Sequence, residues 1–229
     1  MKEHPALMNG PMVRAILAGD KTATRRTNGL EFFSKNDPDN WRCVRVARDQ
    51  ACFVYGDSPV ERTARCPYGQ PGDHLWIRET WSTDFAAHYP FDQIWYAADN
   101  DRQHEIERRD QVRGIFSPES NIHVPFRWRP NIHMPRRHCR IILEVVDVRV
   151  ERLQDGDGET AWESRYLAEG IRQIDHGRGE HYYSAFHREP HPKNWADPYD
   201  AWRELWVSTG GNWTGNPWVW VVKFRRIKP

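Results

Sequence analysis

A helix that must stop and turn straight into a strand, at residues 11–27, constrains this chain more than any other stretch. Pro11 suits a first helical turn, where its missing N–H is one the helix leaves unbonded anyway, and Val13, Ile16 and Leu17 recur at helical spacing. Gly19 stands where a left-handed cap ends a helix cheaply. Residues 22–27 then bring Thr22, Thr24 and Thr27, β-branched residues that favour a strand. Alternation puts Thr22, Thr24 and Arg26 on one face, and Lys21 in the connector can lean over it. A hydroxyl, an amine and a guanidinium thus meet on a rigid corner. Such a corner can perform acyl transfer, or it can grip a phosphate.

Further strands are predicted along the rest of the chain. Residues 42–48 and 51–55 alternate polar with apolar and read as a hairpin, and a turn-rich loop at 66–73 leads into a strand at 74–81. Residues 93–98 form a short strand, while the charged stretch 99–113 reads as a helix or an exposed loop. The longest strand is 140–152, β-branched and bounded by polar turns. Residues 160–168 read as a helix stopped by Gly170, and 177–197 as a long irregular insertion. Residues 198–207 form an amphipathic helix striped by Tyr199, Trp202, Leu205 and Trp206, and 217–227 the final strand. The fold class expected is α+β: a small mixed barrel with helices packed around it.

Composition narrows the function classes. The chain has 229 residues and is read as one domain over 1–229. Only 38% of residues are hydrophobic, but 12 Trp supply the large apolar surfaces that a core needs. A formal net charge of +1 exerts no global pull on nucleic acid or membrane. No apolar run approaches the roughly 18–20 residues needed to span a bilayer, and the N-terminus lacks the apolar stretch of a secretory signal. Cys43, Cys52, Cys66 and Cys139 show no paired spacing, so free thiols and a cytoplasmic location are expected. No metal is expected either. His187 and His191 are four apart, yet Pro190 and Pro192 forbid the helix that would align them. With no glycine-rich phosphate cradle in the sequence, no cofactor is expected.

Gly19, Lys21 and Arg26, in the spacing Gly-x-Lys-x-x-x-x-Arg, resemble the signature of the ASCH domain, a β-barrel family of the PUA-like superfamily. The run 17–24 is similar to the start of that family's small bacterial N4-acetylcytidine amidohydrolases. Three more segments fit in the same order. Gly72-Asp73 with the strand to Trp81 resembles the family's glycine–aspartate strand, Leu167-Ala168-Glu169-Gly170-Ile171 its short helix ending in an acid, and 216–224 its closing strand. Stretches near 28–70, 84–125 and 172–215 have no counterpart in compact members and are expected as long inserted loops. The resemblance implies a PUA-like barrel and hydrolysis of the N4-acyl amide of acylated cytosines or cytidines. Thr24 is then the nucleophile, Lys21 its base, and Glu169 an orienting or proton-donating carboxylate. The family's other implication is a non-catalytic RNA-binding module or a ribonuclease.

An amide needs a nucleophile, an oxyanion stabiliser and an acid for the leaving nitrogen. Lys21 can act as a base only when neutral, so burial and the positive charge of Arg26 must lower a pKa that is ordinarily about 10.4. Arg26 is assigned to holding the geometry and polarising the site. Of the tryptophans on or beside strands (Trp76, Trp81, Trp128, Trp218 and Trp220), Trp81 and Trp218 are assigned to the substrate pocket, Trp81 as the stacking ring. Glu79 can accept from a cytosine amino group or a ribose hydroxyl, or make an ordinary ion pair with Arg78 or a neighbour. Met134 is placed at the barrel rim. The run 126–140 is basic with interleaved aromatics, so it can track a phosphate backbone or simply form a solvated loop. The expected partner is a small modified nucleoside or base; RNA is the less favoured one, and no membrane partner is expected.

Overall fold

The computed structural model describes residues 1–88, 91, 94–99, 103–117, 121–155 and 165–227. The chain opens with β1 (Glu3–Leu7), and Asn9 caps helix α1 (Gly10–Ala18), its side chain accepting a 3.0 Å hydrogen bond from the Met12 amide. Met12, Val13, Ala15 and Ile16 form the buried face of α1. Gly19 ends it at φ 85°, with its N–H directed to the Ala15 and Ile16 carbonyls, as the sequence predicts. The strand that follows, β2 (Ala23–Arg26), leaves Thr22 exposed at its entrance.

The first insertion is ordered structure: α2 (Glu31–Lys35), then β3 (Trp41–Ala47), β4 (Gln50–Tyr55) and β5 (Glu61–Arg65) in one antiparallel sheet. Next come β6 (His74–Arg78), β7 (Trp81–Ser82), β8 (Trp95–Tyr96), β9 (Ile106–Arg109), β10 (Val112–Ser117), β11 (Ile122–Pro125) and β12 (Ile142–Arg152). The chain closes with β13 (Arg172–Asp175), β14 (His181–Ser184), α3 (Pro198–Ser208) and β15 (Trp218–Ile227).

A five-stranded sheet in the order β1-β6-β12-β15-β2 organises the molecule. β1 and β6 run parallel; the other neighbours are antiparallel. β12 pairs along its whole length with β15, from Ile142↔Ile227 to Arg152↔Trp218, with a bulge between Val145 and Asp147. Trp218 to Val222 are all buried, so both faces of β15 are covered. This explains its unbroken apolar run.

A small mixed barrel is expected, but among the described residues no sheet closes into one. The two edge strands, β1 and β2, are separated in sequence only by α1 and do not pair. The sheet nevertheless curls until one side chain spans its edges: Arg26 Nη2 donates to the Leu7 carbonyl at 2.7 Å. The fold is thus a strand-rich α+β fold.

Two expectations are corrected. Of the stretch 99–113, where a helix or an exposed loop is expected, 100–102 lie outside the described residues, and after a 3-10 turn at Gln103–Glu105, β9 and β10 make a hairpin. Its two turn residues, Asp110 and Gln111, sit at φ 49° and 65°, the twist that a two-residue hairpin requires. The charged composition hid it, because residues 107–113 are all exposed and show no alternation. The segment 177–197 is also less irregular than expected, since β14 pairs with β13 and Tyr183 bridges to Trp195. The helix expected at 160–168 lies largely outside the described residues; 165–168 form turns.

The insertions pack differently. Phe33, Trp41 and Phe53 join the main core, with Phe53 edge-on to Trp218 at 5.3 Å. The segment carrying β7–β11 has its own small core of Phe85, Trp95, Ile115, Val124 and Phe126.

Candidate active site

The corner between α1 and β2 is held against the 165–171 turn by backbone bonds. The Thr22 and Ala23 amides both donate to the Ala168 carbonyl, at 2.8 and 2.9 Å, and Lys21 bridges to Glu169. Gly170 allows this close approach. Its φ is 93°, and a Cβ there would sit 2.8 Å from that of Ala15 and 3.2 Å from that of Lys21. Gly170 thus lets two residues that lie 148 positions apart meet.

Lys21 Nζ donates to Glu169 Oε2 at 2.6 Å and to the Glu169 carbonyl at 2.8 Å. The other carboxylate oxygen, Oε1, accepts from Arg25 Nη1 at 3.1 Å. Arg25 Nε then bonds Glu151 Oε1 at 2.8 Å, and Arg149 and Arg165 each reach Glu151 Oε2 at 3.2 Å. The Arg25 guanidinium lies 5.0 Å over the Trp202 ring. The side chain of Lys21 is 0% exposed and that of Glu169 4%. Burial pushes the Lys21 amine below its ordinary value, and Arg26 and Arg25 add to that push against the pull of Glu169. Burial raises the Glu169 carboxyl, but Lys21 and Arg25 outweigh it and hold the group below the usual glutamate range. The pair is a carboxylate facing an amine with a weakened hold on its proton.

Thr24 is buried opposite Val222, and among the described residues its hydroxyl has no hydrogen-bond partner. It lies on the other face of β2 from Arg25. Lys21 and Thr24 are thus neighbours along the corner, but no hydrogen bond joins them. Arg26, on the Thr24 face, bonds Leu7 O and Met8 Sδ and lines a cavity of about 330 Å³ with Leu7, Asn28, Tyr68 and Arg78. Tyr68 donates to Asn28 Oδ1 at 2.9 Å on that wall, and Arg78 reaches over to the Ile132 carbonyl.

The remaining sequence candidates fall elsewhere. Both oxygens of Glu79 are taken by Arg140, at 2.9 Å each, and Arg140 also pairs with Asp99 at 2.6 Å. Glu79 therefore makes an ion pair, though with Arg140 and not with Arg78. Met134 is buried, its sulfur accepting from the Glu79 amide at 3.2 Å, so it packs behind this clamp. Trp81 is buried between His138, 4.9 Å away centroid to centroid, and the Arg129 guanidinium at 5.4 Å. Trp218 packs in the core between Phe53 and Arg152. Lys21 and Glu169 are joined directly and Arg26 acts on the charge of both, while Thr24 follows on the β2 face opposite Arg25; Glu79, Trp81 and Met134 form a second group, and Trp218 stands apart.

Sequence reasoning missed Arg25 and Glu151. The signal was present: alternation in β2 puts Arg25 opposite Thr24, where a buried arginine demands carboxylates. Glu151 is an acid within the longest strand. Among the described residues no three His, Cys, Asp or Glu side chains gather as a metal site, and no helix is long and apolar enough to cross a membrane. No family model, curated protein or solved structure matches the chain.

Proposed function

We propose that this chain is a metal-independent amidohydrolase of the ASCH type, on a PUA-like barrel scaffold, cleaving the N4-acyl amide of N4-acylated cytosines and cytidines. The observation that carries the reading is a buried Thr24 hydroxyl with no partner among the described residues, on the same corner of the chain as a Lys21 enclosed with Glu169. A buried hydroxyl without a partner costs about 1–3 kcal/mol, and such a cost calls for a reason outside folding. The alternative use of this corner, gripping a phosphate, is disfavoured because Lys21 is enclosed and bonded twice to Glu169.

In this reading the substrate enters by the cavity at Arg26. Neutral Lys21 takes the Thr24 proton as Thr24 Oγ1 attacks the acyl carbonyl carbon. The C–N4 bond then breaks, and Lys21 passes that proton to the departing nitrogen, which releases the cytosine amine. Water, deprotonated by Lys21 in turn, attacks the acyl-threonine ester; its C–Oγ1 bond breaks, Lys21 returns the proton to Thr24 Oγ1, and the carboxylic acid is freed. Arg26 polarises the oxyanion, and Glu169 positions Lys21. Proton transfer requires Nζ to give up a Glu169 acceptor and reach Thr24.

The test is release of cytidine from N4-acetylcytidine, followed by ultraviolet absorbance with wild type and Thr24→Val. Turnover by wild type, surviving exhaustive chelation and lost by at least about a hundredfold in a folded Thr24→Val protein, is the expected result. No turnover by wild type on any N4-acylated cytosine or cytidine, or full turnover by Thr24→Val, contradicts the reading.

A further inference from the structure

The basic, aromatic run at 126–140 is not used by the proposed chemistry, and the fold wraps it around a second cavity of about 570 Å³. Trp81 and Trp128 form aromatic wall, and Arg127, Arg129, His133 and Arg137 supply the charge. The size lies within the usual range for a small-molecule site, about 300–1,000 Å³.

The five arginines of this run divide in a telling way. Arg129 is paired with Asp84 at 2.5 Å, Arg136 with Glu3 at 2.8 Å, and Arg140 with Glu79 and Asp99. Arg127 and Arg137 are exposed, and among the described residues neither guanidinium has a hydrogen-bond or ion-pair partner. Both line the cavity. On two of the lining residues, Trp81 Nε1 and Arg129 Nε are buried donors with no acceptor among the described residues. The cavity therefore carries surplus positive charge next to an indole ring. Half-buried Trp128 offers ring surface, while Trp81 is already covered by His138 and Arg129.

We propose that this cavity binds a nucleoside phosphate, free or within a single strand, with the phosphate on Arg127 and Arg137 and the base against Trp128. Guanidinium groups hold phosphate oxygens in a forked geometry, and a base stacked on an aromatic ring gains about 1–3 kcal/mol. An acidic peptide would satisfy the arginines but give the rings nothing flat to stack on. The inference stands on this cavity alone and is independent of the hydrolase reading.

The test is equilibrium binding followed by tryptophan fluorescence, with cytidine 5′-monophosphate, cytidine, inorganic phosphate and a single-stranded oligocytidylate as probes. Wild type is compared with the double variant Arg127→Gln/Arg137→Gln. Both residues are exposed and unpaired, so the variant should melt like wild type. The expected result is that the nucleotide or the strand binds at least tenfold more tightly than cytidine or phosphate, and that the double variant loses at least tenfold. Binding of the mononucleotide identifies the free source. Binding of the strand alone identifies the polymer, and its salt slope should then fall by about 1.4 in the variant, two contacts at about 0.7 each. Equal binding of cytidine and its phosphate, phosphate binding as tightly as the nucleotide, unchanged affinity in the variant, or no binding of any probe would each overturn the proposal.

Discussion

Two buried glutamates in this molecule meet cations in opposite ways. Glu169 shares its carboxylate between Lys21 and Arg25, two nearly inaccessible cations, and its pKa is held down. Among the described residues the Glu79 carboxylate pairs with Arg140 alone, itself shared with Asp99. Burial, with Asp99 adding to it, there wins over Arg140, and the Glu79 carboxyl is raised. The ratio of cations to carboxylates decides the direction of each shift. Cation type decides what each cluster can do. Arginine does not release its proton in a protein, so the Glu79–Arg140–Asp99 group is a clamp. A desolvated lysine can release one, so only the Glu169 group can move protons.

Substitution at the two carboxylates sharpens the contrast most. Glu169→Gln strands a buried ammonium and should cost about 3–5 kcal/mol in urea unfolding. Glu79→Gln should cost less, about 1–3 kcal/mol, because Arg140 keeps Asp99 and is partly solvated. The reverse ranking would break the comparison.

The pH dependence should separate them next. A depressed folded pKa means that the Glu169 contribution is complete above the ordinary value of 4.5 and is lost as pH falls through the folded value. Glu79 runs the other way: with a raised folded pKa, stability falls as pH rises through the window above 4.5. Glu169→Gln should therefore flatten the acid limb of unfolding midpoint against pH, and Glu79→Gln should remove the opposing slope above it. Identical profiles for the two variants would show that the directions are wrong.

Thr24→Val carries the smallest stability effect. Removing an unpartnered hydroxyl while keeping its shape should be neutral or stabilise by about 1 kcal/mol in thermal unfolding. A clear loss of stability would reveal a partner for Thr24 and remove the orphan on which the site depends.

Much of this was legible locally. The α1 stop at Gly19, the strand after it, and the long central strands follow from caps, β-branching and unbroken apolar runs. The Lys21–Glu169 contact was reachable only through resemblance, since nothing in spacing joins residues 148 apart. Arg25 was hidden by its neighbour: Arg26 shares the Thr24 face and drew the assignment, while the buried fork went to Arg25. Glu79 was misplaced because the positions alone do not show that Arg140 crosses to β6. The hairpin at 106–117 was hidden by charge, as its turn geometry is set by backbone twist more than by residue type.

The central claim is that Lys21 acts as a base, and the pH dependence of kcat/KM on N4-acetylcytidine tests it most directly. Burial and Arg26 and Arg25 depress the Lys21 pKa, so kcat/KM should rise with pH and level off below the ordinary lysine value of 10.5. Lys21→Met, if folded, should lose both the rise and the activity. A flat profile from about pH 5 to about pH 10, the span that brackets carboxylate and lysine titration, or a rise that persists in Lys21→Met, would contradict the account.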